Sequence, residues 1–301
     1  MEFCSKLSCI VLCCFLVGNG RGVAQEVVYR DYTRQEAALL DSLKKEGVLP
    51  LFKGMRALRQ QAQGVKESTP VNIKPRRAGK REVTPENIIK ERRASVLTVN
   101  KYQGVTTRPD MVYGWATAVV LTADGVCVTN FHVFWELLDP AAKLNPADSL
   151  IFVATEDGRA YPVTEILSFN KAADMAFFKI DTRGDVLTPM PLGDDLPAGA
   201  NVHLLSNPEG YPYAYTHGRV SRTIALNPGD PFSRRMEMTA DFAKGSSGGP
   251  IMDDRGNMVS MVSSIRAIYF SNQPPYHLQM NVKLTIPVSS LRRVIKSPKQ
   301  K

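Results

Sequence analysis

The chain has 301 residues, 44% of them hydrophobic and 22% charged, with a formal net charge of +9. That balance excludes a disordered, collagen-like or disulfide-dense protein and leaves length for one large or two modest folded domains. The charge is uneven: residues 25–94 hold 16 Lys and Arg against 9 Asp and Glu, whereas residues 95–301 hold 20 against 19. A basic N-terminal segment therefore precedes a nearly neutral body.

Residues 1–24 read as a signal peptide. The apolar stretch from Leu7 to Val17 has the length of a signal core and is short for a membrane span. Gly22-Val23-Ala24 supplies small residues, which predicts cleavage after Ala24; the alternative is an uncleaved anchor. Cys4, Cys9, Cys13 and Cys14 lie in this leader and leave Cys127 alone in the mature chain. A lone cysteine makes no intramolecular disulfide, and no metal cluster can be assembled from it. An exported chain without disulfides suits a bacterial periplasm or the extracellular space. Cys127, inside an apolar strand, reads as buried filler.

Residues 25–63 form a short helical segment. "TRQEAALLDSLKKE" has capping-box spacing between Thr33 and Glu36 and one apolar face of Leu39, Leu40 and Leu43. Gly47 and Pro50 end that helix, and "FKGMRALRQQAQ" suggests a second. Residues 64–84 are polar, Pro-containing and basic, and predict a mobile linker. Its "KPRRAGKR" lacks interleaved aromatics, so nucleic acid is not expected as a partner. The positive charge suits weak attraction to anionic envelope surfaces, and the leucine face suits self-association into a homo-oligomer.

Thr84-Pro85-Glu86 opens a further short helix, with a cap residue followed by Pro at the first helical position. From Ser95 onward short strands alternate with turn residues, among them "SVLTVNKY", "MAFFKI", "NVHLLS" and "MNVKLTIPV". Such a series predicts an all-β sandwich or barrel. "TADG" and "TEDG" are Asp-Gly hairpin signals. "SSLRRVIK" closes the series as a short helix.

One stretch concentrates backbone freedom: "FAKGSSGGPIM", residues 242–252, with two serines among three glycines. A tight surface turn is one reading, and a loop whose amides point at a reacting oxygen is the other. A serine hydroxyl needs a neighbouring base to become a nucleophile. Of the four histidines, His132 in "VCVTNFHVFWEL" stands at a rigid strand end. Asp174 in "KAADMAFFKI" starts an apolar strand, where a lone acid needs a partner. Each residue alone has an ordinary structural explanation. Together they make a His, Asp, Ser order in an all-β context, with Gly245 two before Ser247 and Gly248-Gly249-Pro250 after it.

"TNFHV", "DMAFFKI" and "GSSGGPI" resemble the three catalytic blocks of chymotrypsin-like serine peptidases, and look most similar to the HtrA-type bacterial branch. The likeness spans about residues 85–297 and includes "SNPEGY", "THGRVSR" and "IPVSSLRRVI". It implies two six-stranded β-barrels with the site in the cleft between them, and no cofactor. It implies Ser247 as nucleophile, His132 as general base and acid, and Asp174 as the orienting carboxylate. The amides of Gly245 and Ser247 would form the oxyanion hole, and Ser263 would lie on the strand that pairs with substrate. Ser246 departs from the digestive enzymes, which have Asp there, so activation by a new N-terminus is not expected. The stretch after Ser247 is too short for a PDZ domain. Asp241 suggests a preference for basic residues, whereas Ile265 suggests a narrower apolar pocket; both stay open. The expected function is a serine endopeptidase acting on proteins or peptides. The alternative is a non-catalytic chaperone or scaffold that binds peptides in the same cleft.

Overall fold

The computed structural model describes residues 27, 29–105, 108–144, 149–209 and 211–298. The leader therefore lies outside the described residues. Residues 1–31 form a unit of their own, of which 27 and 29–31 are described, and residues 32–301 form the other.

Helix α1 (Gln35–Glu46) ends at Gly47, whose φ of 63° lets its amide turn back to the carbonyls of Leu43 and Lys44. Its start differs from the capping-box expectation. Arg34 is the N-cap residue, and Glu36 accepts from the Gly114 amide at 2.7 Å. Leu39 and Leu43 pack with Val48 and Phe52 against Val112, Phe152 and Ala160. Helix α2 (Met55–Ala62) sends Met55, Leu58 and Ala62 into the core of the first barrel. The leucine face expected to mediate self-association is thus consumed within the chain.

Residues 64–84, expected as a mobile linker, are pinned along their length. The Ser68 amide donates to Phe169 O at 2.7 Å, and strand β1 (Val71–Asn72) pairs in parallel with residues 295–296. The Gly79 amide and carbonyl both bond the Asn257 side chain, at 2.7 and 2.9 Å, and the Val83 amide reaches Asp254 O at 3.0 Å. Val71 and Ile73 are buried while Lys74, Arg76 and Arg77 stay exposed. The cause is a two-residue alternation that the average composition of the segment conceals.

Helix α3 (Pro85–Arg92) leads into the first barrel: β2 (Val96–Val105), β3 (Arg108–Val120), β4 (Val126–Thr129), the short helix α4 (Trp135–Leu138), β5 (Ser149–Ala154), β6 (Ala160–Asn170) and β7 (Met175–Ile180). The strands close antiparallel in the order β2-β3-β4-β7-β6-β5. Both Asp-Gly turns occur as expected: Gly125 (φ 93°) joins β3 to β4, and Gly158 (φ 87°) joins β5 to β6. The second barrel comprises β8 (Asn201–Ser206), β9 (Ala214–Ala225), β10 (Arg234–Met238), β11 (Pro250–Met252), β12 (Met258–Tyr269) and β13 (Leu278–Pro287). It closes in the order β10-β13-β12-β11-β8-β9, and α5 (Val288–Val294) and β14 (Ile295–Lys296) follow.

The continuous apolar runs of β4 and β7 now have a reason. Cys127, Ala176, Phe178 and Ile180 face the core of the first barrel. Their alternates Val126, Val128, Met175 and Phe177 join Leu205, Met252, Met258, Met261 and Ile286 in a seam between the barrels. A strand buried on both faces loses its alternation of apolar and polar residues. That seam brings the ends of β4 and β7 against the loop before β11.

Candidate active site

His132 lies in the 3-10 turn Phe131–Phe134, directly after β4. Asp174 precedes β7, which pairs with β4 as far as Thr129 and Ala176, so the two residues leave adjacent strand ends. Asp174 has φ 55°, a left-handed conformation that Asp tolerates better than most residues. That turn is held by the Asp174 amide donating to Lys171 O at 3.1 Å, and by Asn130 Nδ2 donating to the Asp174 carbonyl at 2.9 Å.

The Asp174 carboxylate gathers three donors. Its Oδ1 accepts from the His132 backbone amide at 3.1 Å, and both oxygens lie 3.0 Å from His132 Nδ1. Ser263 Oγ donates to Oδ2 at 2.8 Å. A carboxylate can only accept, so this contact selects the tautomer with the proton on Nδ1. Nε2 is left as an acceptor, and Ser247 Oγ stands 2.9 Å from it.

Ser247 is held by glycines and by the first barrel. Gly245 has φ 91°, and a Cβ there would lie 2.5 Å from Asn207 O and 2.8 Å from the Glu209 nitrogen. Gly248 has φ 85°, and a Cβ there would collide with the Thr117 carbonyl oxygen and the Thr129 hydroxyl. Only glycine satisfies both demands at these positions. Thr117 ties the loop across the seam: its amide donates to Ser247 O at 2.8 Å, and its hydroxyl donates to Gly245 O at 3.0 Å. Asn207 donates its own amide to that hydroxyl at 3.0 Å. Among the described residues, no acceptor takes the amides of Gly245 and Ser247. Ser246 is fully buried, whereas Ser247 presents its hydroxyl to the cleft.

The expected specificity residues fall elsewhere. Asp241 is paired with Lys283 Nζ at 2.5 Å, and hydrogen bonding to that ammonium holds its carboxyl below the usual carboxylate range. It does not stand as the lone acid of a pocket for basic side chains. Ile265 lies opposite Lys283 on β13 and is exposed. Among the described residues, no group of three or more His, Cys, Asp and Glu side chains converges as metal ligands would.

Four contributors carry little or no mark in the sequence: Thr117, Asn130, Asn207 and the hydroxyl of Ser263. Asn130 has a local signal, a polar residue ending the buried run "VCVT". Asn207 stands in the "SNPEGY" stretch of the likeness, though nothing local gives its role, and Thr117 has no signal because its partners are 90 and 128 positions away.

Residues 116–261 match the family model described as "Trypsin-like peptidase domain". The curated relative "Protease Do-like 5, chloroplastic" of Arabidopsis thaliana is 28% identical over 189 residues, covering 61% of this chain and 57% of that protein. A "Probable periplasmic serine endoprotease DegP-like" of Marinomonas sp. is 29% identical over 146 residues, 48% of this chain and 29% of that protein. The chain thus spans little more than half of the first of these and under a third of the second. Among solved structures, "HtrA-type protease AlgW with decapeptide" superposes with a TM-score of 0.53 at 21% identity, covering 71% of this chain and 69% of that one. Residues 116–261 are thus similar to a trypsin-like peptidase domain, the described residues form two closed six-stranded barrels, and the relatives named above are Do-like and DegP-like proteases.

Proposed function

We propose that this protein is an exported serine endopeptidase that hydrolyses polypeptides through an acyl-enzyme on Ser247. The observation that carries the reading is the relay of 2.9 Å from Ser247 Oγ to His132 Nε2 and 3.0 Å from His132 Nδ1 to Asp174. Ser247 Oγ attacks the scissile carbonyl carbon while its proton passes to Nε2, and Asp174 stabilises the resulting imidazolium. The carbonyl oxygen becomes an oxyanion and accepts from the amides of Gly245 and Ser247. The C–N bond then breaks, and the Nε2 proton goes to the leaving amine. A water, deprotonated by His132, attacks the acyl carbon and returns Ser247 to its starting state.

The pairing of Asp241 with Lys283 supports an apolar rather than a basic primary preference, since a neutralised acid offers little to an incoming Arg or Lys. The apolar leader and the relatives named as periplasmic support export. The exposed Lys74, Arg76, Arg77, Lys80 and Arg81 suit contact with an anionic envelope surface.

Reaction of the purified protein with a fluorophosphonate, followed by peptide mapping, tests the core of this reading. The label is expected on Ser247, and it is expected to vanish in His132→Ala. A folded chain that stays unlabelled would point instead to a peptide-binding scaffold.

A further inference from the structure

Nothing in the chemistry above uses the cavity of about 450 Å3 that lies beside the Gly245 loop. One wall is β3, through Tyr113 and Trp115, whose rings meet edge to face with centroids 6.4 Å apart. Gln35 and Leu39 of helix α1 line it as well. Lys244 and Glu209 also line it and are ion-paired at 2.9 Å. The helix contributing the second wall precedes both barrels in the chain.

Two connections join this cavity to the reacting atoms. Lys244 directly precedes Gly245, one of the two unused amide donors. Trp115 donates its indole N–H to the Val133 carbonyl at 3.3 Å, one residue beyond His132. We infer that the cavity receives a substrate side chain on the leaving-group side of the scissile bond, and that helix α1 is a specificity wall for it. The inference rests on the Ser247–His132 reading. His132 Nε2 hands its proton to the leaving nitrogen, so the departing segment runs past the turn at residues 131–134, which Trp115 abuts. The other direction follows Ser263, on the Asp174 side.

The walls decide the class of residue. Two aromatic rings and a leucine favour an aromatic or long aliphatic side chain, and the volume lies within the usual range for ligand pockets, about 300–1,000 Å3. A carboxylate there would meet two others that line the cavity, Glu36 and Glu209, and be repelled by them. The substrate class is therefore a polypeptide with a bulky apolar residue shortly after the cleaved bond.

The test uses the two tryptophans of the chain. Trp135 is 44% exposed, so Trp135→Phe leaves a folded protein in which Trp115 alone reports. Glycyl-phenylalanine amide and glycyl-aspartate amide, which mimic only the leaving side, are titrated against its emission. The first is expected to saturate with a Kd about tenfold lower than the second, a discrimination typical of an apolar pocket. The same amides are then offered as acceptors during turnover of an ester. The amine attacks the acyl carbon, the bond to Ser247 Oγ breaks, and the amine proton returns to Ser247 through His132. Capture by the phenylalanine amide is expected to exceed capture by the aspartate amide by about the same factor.

Gln35→Phe fills the cavity and should erase both preferences. Should it fail to fold, Tyr113→Ala opens the β3 wall and should lower them likewise. Equal binding of the two amides, or a preference that survives in a folded wall variant, overturns the inference. If fluorophosphonate leaves the protein unlabelled while Trp115 still discriminates, the catalytic reading fails and the cavity remains a peptide site. If Ser247 is labelled and discrimination is missing, the cavity assignment alone fails.

Discussion

The two halves of the site are built in different ways. The His132–Asp174 half belongs to one barrel, where paired strands β4 and β7 deliver both residues, and Asn130 with the Asp174 amide locks the turn. The Ser247 half is a loop of the second barrel whose position is set from outside by Thr117 and Thr129 of the first, with Asn207 at the end of β8 bonded to Thr117. The acid-base pair is therefore placed mainly by strand pairing within one barrel, with the Ser263 hydroxyl added from the second, whereas the nucleophile senses how well the barrels dock. Damage to the seam should reach Ser247 first.

The largest way to break this comparison is to remove what supports both halves. A chain beginning at Thr84 lacks Leu39, Leu43, Val48, Phe52, Met55, Leu58, Val71 and Ile73, all buried. Their loss bares the apolar faces of Val112, Phe152 and Ala160 and of the first barrel's core, which then have no cover from water. Circular dichroism should show no cooperative melt, and ester turnover should be absent. A folded, active product would show that residues 32–83 are dispensable to the fold and would restore the linker reading of residues 64–84.

Next in size is Ser247→Ala, expected to lower ester turnover by about a millionfold. Ser246→Ala, at a buried hydroxyl without a hydrogen-bond partner, should keep most of it. The reverse pattern would sink the assignment of the nucleophile. Asp174→Asn presents an amide where His132 Nδ1 needs an acceptor, and should slow turnover by about ten-thousandfold with the fold retained. Turnover retained in Asp174→Asn would show that another acid orients His132.

The smallest effect separates the halves most cleanly. Thr117→Val keeps the shape but removes the bond to Gly245 O and leaves the Asn207 amide without its acceptor. A loss of about 1–3 kcal/mol in stability is expected, with fluorophosphonate labelling slowed about tenfold. The Nδ1 proton resonance of His132 should stay where it is in the parent, because Thr117 bonds neither His132 nor Asp174. A shift there would mean that the two halves are coupled through β3.

Much of this architecture is legible in the sequence. The period-two strands, the Asp-Gly turns and the glycines around Ser247 are local consequences of backbone sterics, and local patterns survive in a sequence. His132 and Asp174 are legible for the same reason, since each stands out against an apolar strand. The integration of residues 32–84 is hidden because its binding contacts, such as Glu36 to Gly114, Val71 to Ile295 and Gly79 to Asn257, join residues 78 or more positions apart.

What the sequence determined by itself is the all-β character of residues 95–287 and the residue types able to make a Ser–His–Asp relay, because steric preference and side-chain chemistry belong to each residue wherever it is placed. What only the tertiary structure decided is which charges cancel and which amides remain unused. Asp241 lost its role as a lone acid when β13 brought Lys283 to it, and Ser263 gained one when β12 carried its hydroxyl to Asp174. Electrostatic and hydrogen-bond energies act over a few ångströms, and those distances exist only once the barrels have closed.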